Sequence, residues 1–210
     1  MPSPVGHSLA GLIIYSATNR SIASRGSQLR ALFMLVANAP DLDFLPGLVV
    51  GDLSRYHHGP SHSIGFAVLM GVMASVVISR RLYAFVMGFS LYLSHVVLDY
   101  LIQDPSPPNG VQIVWPLSHE YYMAPFAFFP KFDYRPGFTE SVLLAFFSLN
   151  NLMTVMTELL LLLPLLIFVP CGHESVSRFK TRRLRREYRG FSNVSERSEH
   201  SIFKYLHMCE

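Results

Sequence analysis

Residues 83–102 form a run long enough and apolar enough to cross a bilayer, yet the run holds His95 and Asp99. An ionisable group at the centre of such a segment costs about 2.5–3.5 kcal/mol on insertion scales, so it is rarely there without a partner or a task. His95 and Asp99 lie four positions apart, so on a helix they share one face, one turn from each other. That spacing lets an imidazole and a carboxylate hold one ion. The competing reading is a His–Asp hydrogen bond that ties two helices together. Under either reading the rest of the chain must bring polar groups to that face.

The composition agrees with a membrane. Of the 210 residues 50% are apolar and only 15% are charged. Residues 64–79 make another apolar run, closed by Arg80 and Arg81, and with 83–102 it predicts a helical hairpin around the Arg pair. Residues 139–169 are helical in pattern, with the span proper at 151–169 and Pro164 as a tolerated kink. Residues 5–17 predict a helix shorter than the roughly 20 residues an upright span needs. The run 31–39 should end as a helix at Pro40, and Gly47, Gly51 and Asp52 mark turns after it. The expected fold is therefore all-α: a multi-pass helical membrane protein, built as a helical bundle. Residues 103–137 are rich in proline and aromatic rings, among them Trp115, Tyr121 and Tyr122. Such rings favour the headgroup layer, and so long a loop is expected to cover a substrate.

The expected domains are a membrane-embedded unit over 1–170 and a loosely ordered cytoplasmic tail over 171–210. Nine of the 17 Lys and Arg fall within residues 172–210. A basic tail of this kind meets anionic lipid headgroups. No nucleic-acid-binding fold accompanies the charges, so nucleic acid is not an expected partner. Cys171 and Cys209 make neither a disulfide framework nor a thiolate metal site. The first residues lack the basic start and unbroken apolar run of a cleaved signal peptide, so insertion is expected to rely on internal segments.

Basic residues stay on the cytoplasmic side of short loops. With Arg20, Arg25, Arg30, Arg80, Arg81 and the tail inside, 14 of the 17 basic residues are cytoplasmic, and Arg55, Lys131 and Arg135 are left outside. This choice sends four polar spots to the same, non-cytoplasmic face. They are His7, the Asp41–Asp43 step after Pro40, the stretch His57-His58-Gly59-Pro60-Ser61-His62-Ser63, and the His95–Asp99 pair.

Each spot has an ordinary explanation. A lone histidine such as His7 is usually idle. Asp41 and Asp43 can serve as helix terminators, and three histidines in a turn can be merely solvated. Ser61 or Ser63 can cap the helix that follows, whose free amides would welcome an anion. His58 is the weakest of the three histidines as a ligand. His119 and Glu120 read as a surface pair, and Glu158 faces the bundle interior without an evident partner. Together the spots say more than each alone. Imidazoles and carboxylates without a thiolate suit a divalent ion such as Zn²⁺ or Mn²⁺. The surplus of candidate ligands points to two or more ions.

The order of these motifs resembles the YdjM-like bacterial inner-membrane, metal-dependent hydrolases. The matching pieces are His7, Pro40-Asp41-Leu42-Asp43, His57 through Ser63, His95 with Asp99, and Trp115-Pro116, so the resemblance covers roughly residues 5–120. His58 stands where that family usually has Arg, and Ser61 where it usually has Thr. The resemblance implies a hydrolase in the bacterial inner membrane. A more distant likeness, to zinc-dependent phospholipase C and single-strand nucleases, makes a phosphoester substrate plausible, and a lipid one natural in a membrane.

The expectation is a membrane-bound metal-dependent hydrolase acting on a small-molecule or lipid phosphoester through metal-activated water. Zn²⁺ is the leading cofactor. The expected ligands are Asp41, His62, His95 and Asp99, completed by His7, Asp43 and His57. The expected catalytic residues are Asp43, as general base, and His57. Two rivals use the same residues differently: a metal or proton transporter with ligands spread through the bilayer depth, and a non-catalytic membrane scaffold whose histidines are structural.

Overall fold

Small polar residues, prolines and glycines set where the helices begin and end. The computed structural model describes residues 1–18, 26–51, 55–102, 109–133 and 147–169. Ser3 starts α1 (Pro4–Ala17): its hydroxyl accepts from the amides of Val5 and Gly6, and Pro4 fills the first helical position. After α2 (Ser27–Ala37) the chain tightens into a 3₁₀ turn, Ala39–Asp43, with Pro40 at its start. Asn38 fastens this corner, donating from Nδ2 to Ser8 Oγ at 3.1 Å and to the Met34 carbonyl at 2.7 Å. The short α3 (Phe44–Val50) occupies residues where the sequence suggested only turns. Pro46 is tolerated in its first turn, and Gly51, at φ 74°, ends it in the left-handed region.

A second 3₁₀ turn, Pro60–His62, leads into α4 (Ile64–Val77), which Ser63 caps through a bond from the Phe66 amide at 3.2 Å. With 14 residues α4 is about 21 Å long, short of the roughly 30 Å of a hydrocarbon core. The span expected over 64–79 thus ends early, because Ile78 turns to extended backbone ahead of the Arg80–Arg81 corner. Two helices among the described residues are long and apolar enough to cross a membrane: α5 (Arg81–Tyr100) and α6 (Leu149–Val169). No strand forms among the described residues; Val111–Tyr122 and Ile102–Phe129 are isolated bridges. The basic tail, Arg20, Arg25 and Arg135, with parts of the 103–137 loop and of the 139–169 run, lie outside the described residues.

The helix α5 is the hub. Its buried residues, from Ala84 and Gly88 through Leu91, Tyr92, His95 and Val96 to Leu98 and Asp99, recur at helical spacing. They feed three small apolar clusters. Leu91 meets Tyr15 and Phe33, Val96 and Tyr92 meet Ala67, and Leu98 joins Leu9, Ile102, Phe129 and Leu162. Backbones approach closely between α4 and α5: a methyl on Gly71 would lie 2.9 Å from the Phe85 carbonyl oxygen, and one on Gly88 2.9 Å from the Ala74 Cβ. Small residues permit such contact between helices in a membrane.

Beside the apolar cluster that Leu9 and Leu162 share, a buried polar contact ties α6 to α1. Glu158 is fully buried and accepts from the Ser3 amide at 2.6 Å and from the Ser3 hydroxyl. A carboxylate at the positive end of a helix is well placed. Gly6 makes room for it, since a methyl there would come within 2.7 Å of Glu158 Cδ.

Candidate metal centre

The four polar spots meet at one end of the bundle. His7 comes from the first turns of α1, Asp41 and Asp43 from the turn after α2, His57, His58 and His62 from the approach to α4, and His95 and Asp99 from the last turns of α5. The histidines are buried, with His7, His62 and His95 at 0% exposure.

At the centre, Asp41, His62, His95 and Asp99 each place one ligand atom within 4.8 Å of all the others. His62 Nε2 lies 3.2 Å from His95 Nε2, and both lie 3.0 Å from Asp99 Oδ2. Asp41 Oδ1 is 3.3 Å from His95 Nε2 and 3.7 Å from His62 Nε2. A tetrahedron of donors bonded at 2.0–2.1 Å has edges of about 3.3 Å. The spacings observed are those of a set of donors facing one common point.

The far side of each ring decides what it presents to that point. His95 Nδ1 lies 2.7 Å from the Ala37 carbonyl, which can only accept, so Nδ1 carries the hydrogen and, in the neutral ring, Nε2 turns its lone pair inward. His62 Nδ1 lies 3.1 Å from Asp43 Oδ2, which orients it in the same sense. Two inward lone pairs 3.2 Å apart, flanked by two carboxylates, repel one another unless a cation or a proton sits among them. The donor chemistry therefore fits a divalent cation, with two nitrogens and two oxygens.

Asp43 stands behind this group. Its carboxylate takes a bond from Ser61 Oγ at 2.6 Å and faces His57 Nδ1 at 2.9 Å as well as His62. Burial pushes its carboxyl up, but the bonds from His57 and His62 outweigh burial and hold it at about 2. Burial likewise disfavours charge on Asp41, and His95 and His62 overcome it, keeping Asp41 ionised well below the usual carboxylate range. Burial opposes charge on His62 as well, yet bonds to Asp41, Asp43 and Asp99 hold its imidazole protonated well above the ordinary histidine range. A proton and a cation thus compete for the same point.

His7 packs its ring flat on His95, centroids 3.6 Å apart, with Nε2 3.7 Å from Asp99 Oδ1. Neither ring nitrogen of His7 nor Asp99 Oδ1 makes a hydrogen bond. His57, stacked on Phe44 at 3.9 Å, forms a second group with His58 and His62. His62 belongs to both groups, and a neutral imidazole has one lone pair to give. Because Asp43 holds its Nδ1, that lone pair serves the four-residue group.

Two contributors were not legible beforehand. His58, ranked lowest of the three histidines, is 4% exposed with φ 66°, and its Nε2 makes no hydrogen bond. Burial, then the neighbouring His57, keeps it neutral well below the ordinary range, and burial also lowers His57. The Ala37 carbonyl, which orients His95, leaves no trace in a sequence. The loop after α5 braces this end of the bundle: the Gln112 amide donates to the His58 carbonyl at 3.2 Å and the Ile64 amide to the Ile113 carbonyl at 2.9 Å. His119 and Glu120 stay exposed, apart from the cluster. Asp41, its side chain 15% exposed, gives the four-residue group its contact with the outside.

The model of a family described as YdjM inner membrane protein matches residues 1–176 of the chain. No curated protein and no solved structure matches it significantly.

Proposed function

The chain belongs to the YdjM inner membrane protein family, and on that premise we propose that it is a membrane-bound, metal-dependent hydrolase of phosphoesters. The observation that carries the reading is the convergence of Asp41, His62, His95 and Asp99 on one point. When bound there, a divalent cation such as Zn²⁺ would polarise a phosphoryl oxygen and make water a nucleophile near neutral pH.

The chain's own residues do the rest. The Ala37 carbonyl and Asp43 fix the tautomers of His95 and His62. Asp43, ionised and held by Ser61, fixes His57 through Nδ1, so the neutral His57 ring is the base that would take a proton from water at Nε2, with Asp43 steadying the imidazolium. His7 and Asp99 Oδ1 offer donors for a second ion beside the first. Asp41 marks the side from which a substrate arrives. A substrate at the bilayer surface, including a phospholipid, would approach from there.

Three further parts belong to the reading: a multi-pass topology, the site on the non-cytoplasmic face, and the tail on anionic lipid. They rest on the distribution of Lys and Arg. The gathering of the ligands at one end, rather than through the depth of the bundle, favours hydrolysis over transport.

The test is turnover of a phosphodiester reporter and of phospholipid vesicles by the full chain in detergent, after chelation and after return of Zn²⁺ or Mn²⁺. Activity that a chelator abolishes and one of the cations restores is the expected result. Cation binding with no turnover on either substrate would leave the site without hydrolytic work and return the choice to transport.

A further inference from the structure

The other end of the α4–α5 hairpin carries a cavity that the metal centre does not use. It has a volume of about 580 Å³ and lies where α2 meets the corner between α4 and α5. Leu29, Leu32, Phe33, Ile78 and Met87 give it an apolar wall. Gln28, Arg80 and Tyr83 form a polar end. Ligand pockets of this size, apolar with a few placed polar groups, are the ordinary kind, at about 300–1,000 Å³.

The polar end has capacity to spare. Tyr83 Oη is buried and makes no hydrogen bond. Among the described residues no carboxylate pairs with Arg80, and the first turn of α5, which Arg80 opens, receives no side-chain cap and has no acidic residue. A guanidinium, uncapped helix amides and a phenol hydroxyl together suit an anion with several acceptor oxygens. The wall beside them suits a hydrocarbon chain. His95 and Asp99 lie fifteen and nineteen residues further along from Arg80, roughly 22–28 Å at helical rise. Chain and anion in this cavity are thus remote from the metal centre.

We propose that this cavity is a binding site for one anionic phospholipid of the bilayer. The phosphate sits on Arg80, beside the first turn of α5 and Tyr83 Oη, and one acyl chain lies along Leu29, Leu32 and Met87. Charge complementarity selects the occupant: a zwitterionic lipid brings a second, positive group to an end that already carries Arg80 and Arg81. The site is independent of the hydrolytic reading.

The experiment is native mass spectrometry of the full chain released from detergent, offered phosphatidylglycerol, phosphatidylcholine with the same acyl chains, or glycerol phosphate alone. The expected result is one phosphatidylglycerol per chain, little phosphatidylcholine, and no retention of the headgroup without its chain. Arg80→Gln should weaken retention about five-fold, the size of one basic group's attraction to an anionic leaflet. Tyr83→Phe should weaken it less, and Arg81→Gln, which leaves the cavity lining intact, should change it little. Equal retention of both lipids, or equal losses from Arg80→Gln and Arg81→Gln, would reduce the site to unspecific surface charge and overturn the proposal. An unchanged size-exclusion profile and thermal melting temperature in Arg80→Gln would confirm that the variant folds.

Discussion

The helices α5 and α6 each bury an acidic side chain, and the two are held in opposite ways. Glu158 on α6 is met on both oxygens by Ser3, and Gly6 is trimmed to admit it. It is saturated, and it fastens one helix to the start of another. Asp99 on α5 is equally buried, but the groups around it are two imidazole nitrogens at 3.0 Å that face the same point. Its remaining oxygen makes no hydrogen bond. A buried polar group without a partner costs about 1–3 kcal/mol, and natural structures keep few of them. Several in one place, turned toward each other, mark a site where something else completes the set. The comparison separates a carboxylate that the fold satisfies from one that it leaves open, where burial alone would rank them together.

The same chemical change should therefore have different consequences at the two positions. Asp99→Asn removes a charge from the point where the donors meet, and loss of stoichiometric divalent metal, by elemental analysis, is the largest effect expected. Next comes Asp43→Asn, which leaves the four ligands in place but loosens the orientation of His62 and His57. Its cation affinity should fall about 10–100-fold, the usual cost of removing a carboxylate behind a ligating histidine, as read by competitive titration. An unchanged affinity would make Asp43 a bystander.

Acidity should act on the centre through His62. Its imidazole is held protonated well above the ordinary histidine range by Asp41, Asp43 and Asp99, and a cation needs it neutral. Below that raised value each cation bound must release a proton, so affinity should rise with pH, by at most about tenfold per unit for one proton. It should level off only above that value. Calorimetry in two buffers of different ionisation enthalpy reads the proton directly, and a buffer-independent heat would contradict the account. Glu158→Gln should have the smallest effect on the centre. Metal content should stay at the wild-type level, while stability to denaturant falls by about 1–3 kcal/mol as the start of α1 loses a charged acceptor. Metal lost from this variant under conditions where it stays folded would erase the distinction between the two carboxylates.

Much of this was legible in the chain, and the limits are physical. Apolar runs placed α1, α5, α6 and the part of α2 from residue 31 onward, and the costly placement of His95 and Asp99 inside an apolar run singled out the central pair. The length of α4 was not legible, because hydropathy continues past Val77 while the backbone turns at Ile78. The short α3 was hidden by Gly47, which reads as a turn residue but is tolerated in a first turn. Glu158 carried no visible partner because Ser3 lies 155 positions away and contributes a backbone amide as well as a hydroxyl. The sequence predicts Asp41 among the core ligands and Asp43 as a further ligand and base. What residue type and spacing do not carry is that Asp43 lies against the outer nitrogens of His57 and His62, while Asp41 faces His95.

The most direct measurement is X-ray absorption at the metal edge of the full chain, purified in detergent without chelator and loaded with one equivalent of Zn²⁺. The expected spectrum shows two imidazole donors and oxygen donors at about 2.0–2.2 Å. A shell of oxygens alone, without imidazole scattering, would mean that His62 and His95 do not hold the ion and would contradict the centre described above.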